Sequence, residues 1–266
     1  MEDTVLTGEQ RIELARRLRI AERDRAPIDP PVLMYPELDA VDAYQIQLLN
    51  IYRRAGPVVG HKVGLSSKAM QQMMGVDEPD YGHLLADMRL SESVPVDPGR
   101  YCYPRVEVEV AFVLGDDLPG DGCTERDVLD RTEALAPAIE LIDSRIVGWR
   151  ISLADTIADN ASSAGFVLGS ARIPPSDMDI REIDARLWRN GSVVAEGRSD
   201  AVLGDPAIAV AWLARKVAGF GIRLRAGHIV LPGSCTRAID ARPGDAFRAV
   251  FTGLGEVSLT FEGSAP

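Results

Sequence analysis

The chain has 266 residues, 46% hydrophobic and 26% charged, a balance that fits one large globular domain or a small one attached to a larger. Its net charge of −11 argues against a nucleic-acid surface but does not forbid an acidic substrate, because a bound metal can invert the local field. Three cysteines (Cys102, Cys123, Cys235) without CxxC spacing, no basic and apolar leader in Met1-Glu2-Asp3-Thr4, and no apolar run of membrane length point to a reduced, cytoplasmic setting without a membrane.

In chain order, the first third reads as helix. Thr7-Gly8-Glu9-Gln10 has capping-box spacing, and Ile12, Leu14, Ala15 and Leu18 follow on a helical period. The cluster Ala26-Pro27-Ile28-Asp29-Pro30-Pro31 breaks that helix. Asp39 is placed to cap a second helix with Val41, Tyr44, Leu48, Ile51 and Tyr52 along one face, ended by Gly56-Pro57. A glycine-flanked apolar segment, Val58-Val59-Gly60-His61-Lys62-Val63-Gly64-Leu65, carries Lys62; close approach to a ligand and a snorkelling surface lysine are both open to it. A short helix is predicted over 66–74, stopped by Gly75, with Met70, Met73 and Met74 as core or lid packing. Asp80, in Glu78-Pro79-Asp80-Tyr81-Gly82, has the setting of a turn residue.

Beyond residue 100 the signals turn to strands. Over 104–114, Val106, Val108 and Val110 alternate with Arg105, Glu107 and Glu109, so the two carboxylates share the face away from the valines. Positions two apart start roughly 6.5–7 Å from each other, a gap two glutamates can close onto one hard divalent ion, Mg²⁺ or Mn²⁺. A solvated face pairing with Arg105 is the plainer alternative. Glu140 sits in the apolar run 134–146, where a lone charge is expensive to bury; it pairs with an arginine such as Arg145 or joins a metal site. Asn160, Ser162 and Ser163 form a small-residue loop that offers hydroxyl and N–H groups to a carboxylate or serves as plain turn chemistry.

Asn190-Gly191 is a hairpin signal. Asp205-Pro206 opens a helix through Ile208, Trp212, Leu213 and Val217, closed by Gly219 and Gly221. Runs 229–231, 246–251 and 257–261 complete the strands, and the Gly233-Ser234-Cys235-Thr236 turn is a further candidate wall. The fold class is α+β, with a helical N-terminal region over 1–57 and a β-rich domain over 58–266. None of His61, His83 and His228 lies in a metal-ligand motif such as HExxH.

Five segments in order carry a resemblance: Gly60-His61-Lys62-Val63-Gly64-Leu65-Ser66-Ser67, Gly75-Val76-Asp77-Glu78-Pro79-Asp80-Tyr81-Gly82, the 104–114 run, the 138–146 run, and Ala158-Asp159-Asn160-Ala161-Ser162-Ser163-Ala164-Gly165 with the four residues after it. Over nearly its whole length the chain resembles the 2-keto-4-pentenoate hydratase and 4-oxalocrotonate decarboxylase family of the fumarylacetoacetate hydrolase superfamily. The resemblance implies a mixed β-sandwich or roll, with Mg²⁺ or Mn²⁺ held by Glu107, Glu109 and Glu140. It implies Lys62 beside the substrate and Asp80 as acid/base on a closing loop; Asn160 and Ser162 are the substrate-binding candidates on the side-chain chemistry of their loop. The implied reaction is hydration of a 2-hydroxy-2,4-dienoate to a 4-hydroxy-2-oxo acid in meta-cleavage degradation of aromatic compounds. The implied assembly is a homo-oligomer, with a pathway aldolase or decarboxylase as a further partner option. Decarboxylation of 4-oxalocrotonate is the alternative that the same residues serve. More distant are C–C hydrolysis of an acylpyruvate, which uses a Glu–His pair in this superfamily, and a non-catalytic partner subunit.

Overall fold

The computed structural model describes residues 5–263, so the leader reading of residues 1–4 lies outside it. Helices α1 (Gly8–Asp24), α2 (Pro31–Met34) and α3 (Ala40–Ile51) precede strand β1 (Val58–Gly64), helix α4 (Lys68–Met74) and strand β2 (Asp80–Leu85). Then come β3 (Arg105–Leu114), α5 (Glu125–Arg131), β4 (Thr132–Ile142), α6 (Leu153–Ala158) and β5 (Ser163–Leu168). The chain continues through β6 (Asp184–Arg189), β7 (Ser192–Arg198), α7 (Pro206–Ala218), β8 (Ile229–Leu231), β9 (Ile239–Asp240), β10 (Ala246–Phe251) and β11 (Gly255–Thr260).

Capping chemistry sets the helices. The Thr7–Gln10 box opens α1, Asp39 accepts the Asp42 N–H at α3, and Asp205 accepts the Ala207 N–H at α7. Gly75, at φ 69°, closes α4 in the left-handed region. Two packing expectations fail at particular side chains, and a third is narrowed. Ile12 is exposed on α1, and Tyr52 is 72% exposed because α3 has already ended at Ile51. Met70 is 43% exposed and so is not core; the Met73 side chain lies outside the described residues.

A seven-stranded mixed sheet runs β2-β1-β8-β3-β4-β5, with β9 also paired to β3; β1 and β8 are parallel and the other pairs antiparallel. A second, antiparallel sheet runs β11-β10-β6-β7, its β6–β7 turn made by Asn190 and Gly191, both at positive φ. The second sheet packs on the first, and Phe247, Phe251, Val257 and Leu259 share one core with Val106, Val108, Ile139 and Leu141. The opposite face of the large sheet carries a smaller cluster around Leu84, Ala111, Ala138, Phe166 and Leu231. Both faces are therefore covered. The face of β3 that bears the carboxylates is not solvated, and Glu109 is fully buried on it.

Candidate metal and substrate site

Strand pairing assembles the acidic residues. In the β3–β4 register Glu107 stands opposite Glu140, and Glu109 opposite Ala138. All three carboxylates thus project from one face, with one oxygen of each lying within 4.8 Å of the other two. Glu109 and Glu140 are fully buried and Glu107 half-buried. One oxygen of each buried carboxylate is held: Glu109 Oε2 accepts the Gly233 N–H at 2.7 Å, and Glu140 Oε1 accepts the Ser163 hydroxyl at 2.8 Å. Glu109 Oε1 and Glu140 Oε2 have no hydrogen-bond partner. Buried carboxylate oxygens without partners are costly, and a hard cation with oxygen preference removes the cost. The donor set fits Mg²⁺ or Mn²⁺.

The electrostatics agree. Burial raises Glu140 to about 7 against the pull of Lys62, with Glu107 adding to the rise. Burial, then Glu140 and Glu107, push Glu109 well above the carboxylate range, and burial also raises Glu107. Three carboxylates at this spacing do not ionise together without a positive charge among them.

One such charge is built in. Lys62 Nζ lies 3.5 Å from Glu140 Oε2 and donates to the Ala161 carbonyl at 3.0 Å. Burial opposes its protonation, but Glu140, Glu107, Asp80 and Glu109 overcome it, so the ammonium is retained. Lys62 is 4% exposed and therefore does not snorkel. Asp80 lies opposite Gly64 where β2 begins, 2% exposed, with Oδ1 unpaired. Burial raises it to about 6, with Lys62 pulling the other way.

The loop after α6 supplies the opposing wall. Asn160, Ala161 and Ser162 are all left-handed, at φ 55°, 48° and 59°. Left-handed backbone costs an L-residue roughly 1–2 kcal/mol, so three in a row must be held from outside. The Asn160 side chain clasps the His83 backbone in both directions, accepting its N–H at 2.8 Å and donating to its carbonyl at 3.0 Å. The Ser162 carbonyl accepts the Asp143 N–H, and its hydroxyl meets that of Thr156. The Asn160 amide thus bonds the β2 backbone, and the Ser162 hydroxyl contacts α6. The hydroxyl that meets a glutamate belongs to Ser163.

Arg145 does not pair with Glu140. It is buried against Asp159, donating Nε to Oδ1 at 2.5 Å. A cavity of about 660 Å³ runs from α1 and α3 down to Asp159, Asn160 and Ser163, with Arg19, Arg25, Arg54 and Arg100 among its walls. Composition gives no sign of this basic wall, because the net charge of the chain is negative.

Gly233 and Ala161 contribute through backbone atoms. The only signals for them in sequence are a glycine in a turn and a small residue in a loop.

Residues 86–262 match the family described as "Fumarylacetoacetate (FAA) hydrolase C-terminal". The chain is 40% identical over 260 residues, 97% of each chain, to a 2-keto-4-pentenoate hydratase of Paraburkholderia xenovorans (strain LB400). It is 41% identical over 257 residues to the 2-oxo-hept-4-ene-1,7-dioate hydratase of Escherichia coli, covering 93% of this chain and 96% of that one. Among solved structures, the 4-oxalocrotonate decarboxylase from Pseudomonas putida G7, complexed with magnesium and adipate, superimposes with a TM-score of 0.93 at 34% identity. That match covers 97% of this chain and all of the other.

Proposed function

The chain belongs to the fumarylacetoacetate hydrolase family, and on that footing we propose that it is a metal-dependent hydro-lyase. It adds water to a 2-hydroxy-2,4-dienoate, 2-hydroxypenta-2,4-dienoate or a close homologue, to give a 4-hydroxy-2-oxo acid. The observation that carries this reading is full-length identity of about 40% to dienoate hydratases in a chain whose acidic trio and Lys62 converge at one buried site.

Glu107, Glu109 and Glu140 would hold Mg²⁺ or Mn²⁺, which supplies Lewis acidity toward the carboxylate and 2-oxygen of the substrate. Ser163 and Gly233 orient Glu140 and Glu109. The reaction needs a proton at C5 of the dienol to leave a 2-oxo-3-enoate, then water at C4 and a proton at C3. Lys62 keeps its charge and faces the negative charge that develops on oxygen. Asp80, poised near neutrality with a free oxygen, moves the protons. The arginine-lined cavity that reaches Asn160 and Ser163 would serve as the approach, its charge drawing the anionic substrate inward.

Hydrolysis of an acylpyruvate is disfavoured by the histidines. On β1, His61 points to the sheet face opposite Lys62, and His83 and His228 cluster with it there, away from the trio. Decarboxylation remains the second reading, favoured by the close superposition on a decarboxylase, though at lower identity than the hydratases. Turnover of 2-hydroxypenta-2,4-dienoate with Mg²⁺ or Mn²⁺, and with EDTA, separates the two. Metal-dependent 4-hydroxy-2-oxopentanoate is the expected product. CO₂ release from 2-oxohex-3-enedioate without hydration of the dienoate would move the chain to the decarboxylase reading.

A further inference from the structure

The chain contains three histidines, and all three line one cavity on the face of the large sheet opposite the acidic trio. His61 on β1 stands directly across from His83 on β2, their ring centroids 4.8 Å apart, and His228 lies 6.0 Å from His61 at the start of β8. His61 is fully buried with neither ring nitrogen hydrogen-bonded, and the buried His83 has Nδ1 unpaired.

A neutral imidazole has one N–H to give and one lone pair to fill, so a buried ring with no partner at either nitrogen is an unmet demand. The cavity beside these rings, about 300 Å³, is at the small end of volumes that hold organic ligands, roughly 300–1,000 Å³.

The cavity wall selects the chemistry. Arg223 and Arg225 line it, both exposed, and neither guanidinium makes an ion pair among the described residues. The backbone N–H of Arg225 donates to His228 Nδ1, which leaves the hydrogen of a neutral His228 on Nε2 as a free donor. Asp117, the nearby acid, is turned onto the Ala226 backbone N–H. Ile51, Val58 and Ile222 supply an apolar side.

Burial holds the rings neutral: His61 is driven well below its usual range, with His83 and His228 adding to the fall, and His83 drops to about 4. The walls therefore combine the His228 N–H and two guanidinium groups with aliphatic carbon.

We propose that this cavity is a second, non-catalytic binding site for a small carboxylic acid with a short apolar tail. The carboxylate accepts from the His228 Nε2–H and from Arg223 or Arg225, with the buried His61 and His83 rings directly behind, and the tail lies against Ile51, Val58 and Ile222. The site is independent of the reaction proposed above. It backs onto that reaction's machinery, because His61 precedes Lys62 and His83 follows Gly82, whose Cα packs against the Asn160 carbonyl.

The test uses the Mg²⁺-loaded protein and pentanoate as probe, read by calorimetry and by the three imidazoles in a histidine-selective nitrogen NMR spectrum. All three rings should respond as pentanoate saturates. The Arg223→Ala/Arg225→Ala double variant and the His228→Phe variant should each weaken that response at least about tenfold while metal-dependent dienoate turnover is kept. Inorganic phosphate, which has no apolar tail, should bind at least about tenfold more weakly than pentanoate. Silent imidazoles, undiminished affinity in both variants, or equal binding of phosphate would overturn the proposal. Zn²⁺ occupancy of the three rings with no response to pentanoate would overturn it in favour of a metal.

Discussion

Lys62 donates its ammonium proton to the carbonyl of Ala161, 3.0 Å away, at the middle residue of a left-handed turn. A carbonyl in ordinary right-handed or extended backbone at that position would point elsewhere. The turn therefore aims the lysine, and the lysine in turn lies 3.5 Å from Glu140. Strained backbone concentrated where an ammonium meets an acidic trio is a common mark of a working site.

Replacing Lys62 by methionine keeps the bulk and removes the charge. The Lys62→Met enzyme should fold and lose about a hundredfold or more in kcat, the scale of a lost electrostatic donor. Steady-state kinetics alongside circular dichroism check this. An unchanged kcat would remove Lys62 from the chemistry.

Ala161→Val puts a β-branched residue into a left-handed conformation, at a cost of about 1–3 kcal/mol. Ala161→Gly suits that conformation and should leave stability level or slightly higher, with kcat reduced because the carbonyl is less firmly aimed. Urea titrations of the two variants should move in opposite directions or, for glycine, not move at all.

At Gly233 the backbone φ is +127°, and an added Cβ would collide with Ser66 Oγ. Gly233→Ala should displace the N–H that holds Glu109 and weaken Mn²⁺ binding at least about tenfold, the usual penalty for losing a group that orients a ligand. Calorimetric Mn²⁺ titration reads this without any substrate.

Metal removal should make stability depend on pH with a definite sign. In the metal-free protein burial raises Glu140 from an ordinary 4.5 to about 7, with Glu107 adding to the rise, and burial raises Glu109 and Glu107 with it. Between those values the unfolded chain has released a proton that the folded chain keeps, so stability falls as pH rises. Melting in EDTA should therefore occur at a lower temperature at pH 8 than at pH 6. Mn²⁺, which takes the proton's place, should recover more at pH 8. Equal recovery at both values would speak against the trio as its ligands.

The approach cavity makes a prediction about KM. Arg25→Glu and Arg100→Glu reverse charge in its wall and should raise KM several-fold at low ionic strength, with the difference shrinking as salt is added. A fall in kcat with KM unchanged would mean these arginines do something other than steer the substrate.

Much of the site could be read in the sequence because its signals are local. Alternation along β3 placed Glu107 and Glu109 on one face, and the apolar neighbours of Glu140 marked it as a charge needing company. Capping at Thr7, Asp39 and Asp205 is local too, and it placed three helices. Other features depend on partners distant in the chain. That Arg145 turns to Asp159 and not to Glu140 depends on how the chain turns after β4. That Ser163 supplies the hydroxyl on Glu140 depends on the β4–β5 register. Ala161 and Gly233 act through a carbonyl and an N–H that every residue type carries, so no side-chain pattern distinguishes them. Tyr52 keeps the helical period of α3 yet is exposed, because periodicity does not report where a helix stops.

The alternation of β1 makes the length of that strand a question of odd and even. Adjacent residues His61 and Lys62 serve opposite sides of the sheet, so gaining or losing one residue upstream would present an imidazole to the glutamates and bury the ammonium in the outer cavity. A two-residue change would preserve the sidedness. Gly60 guards against such a slip: its Cα lies so close to the Ile229 carbonyl that no side chain fits there, and any shift that brought Val59 or His61 to that point would be blocked by collision.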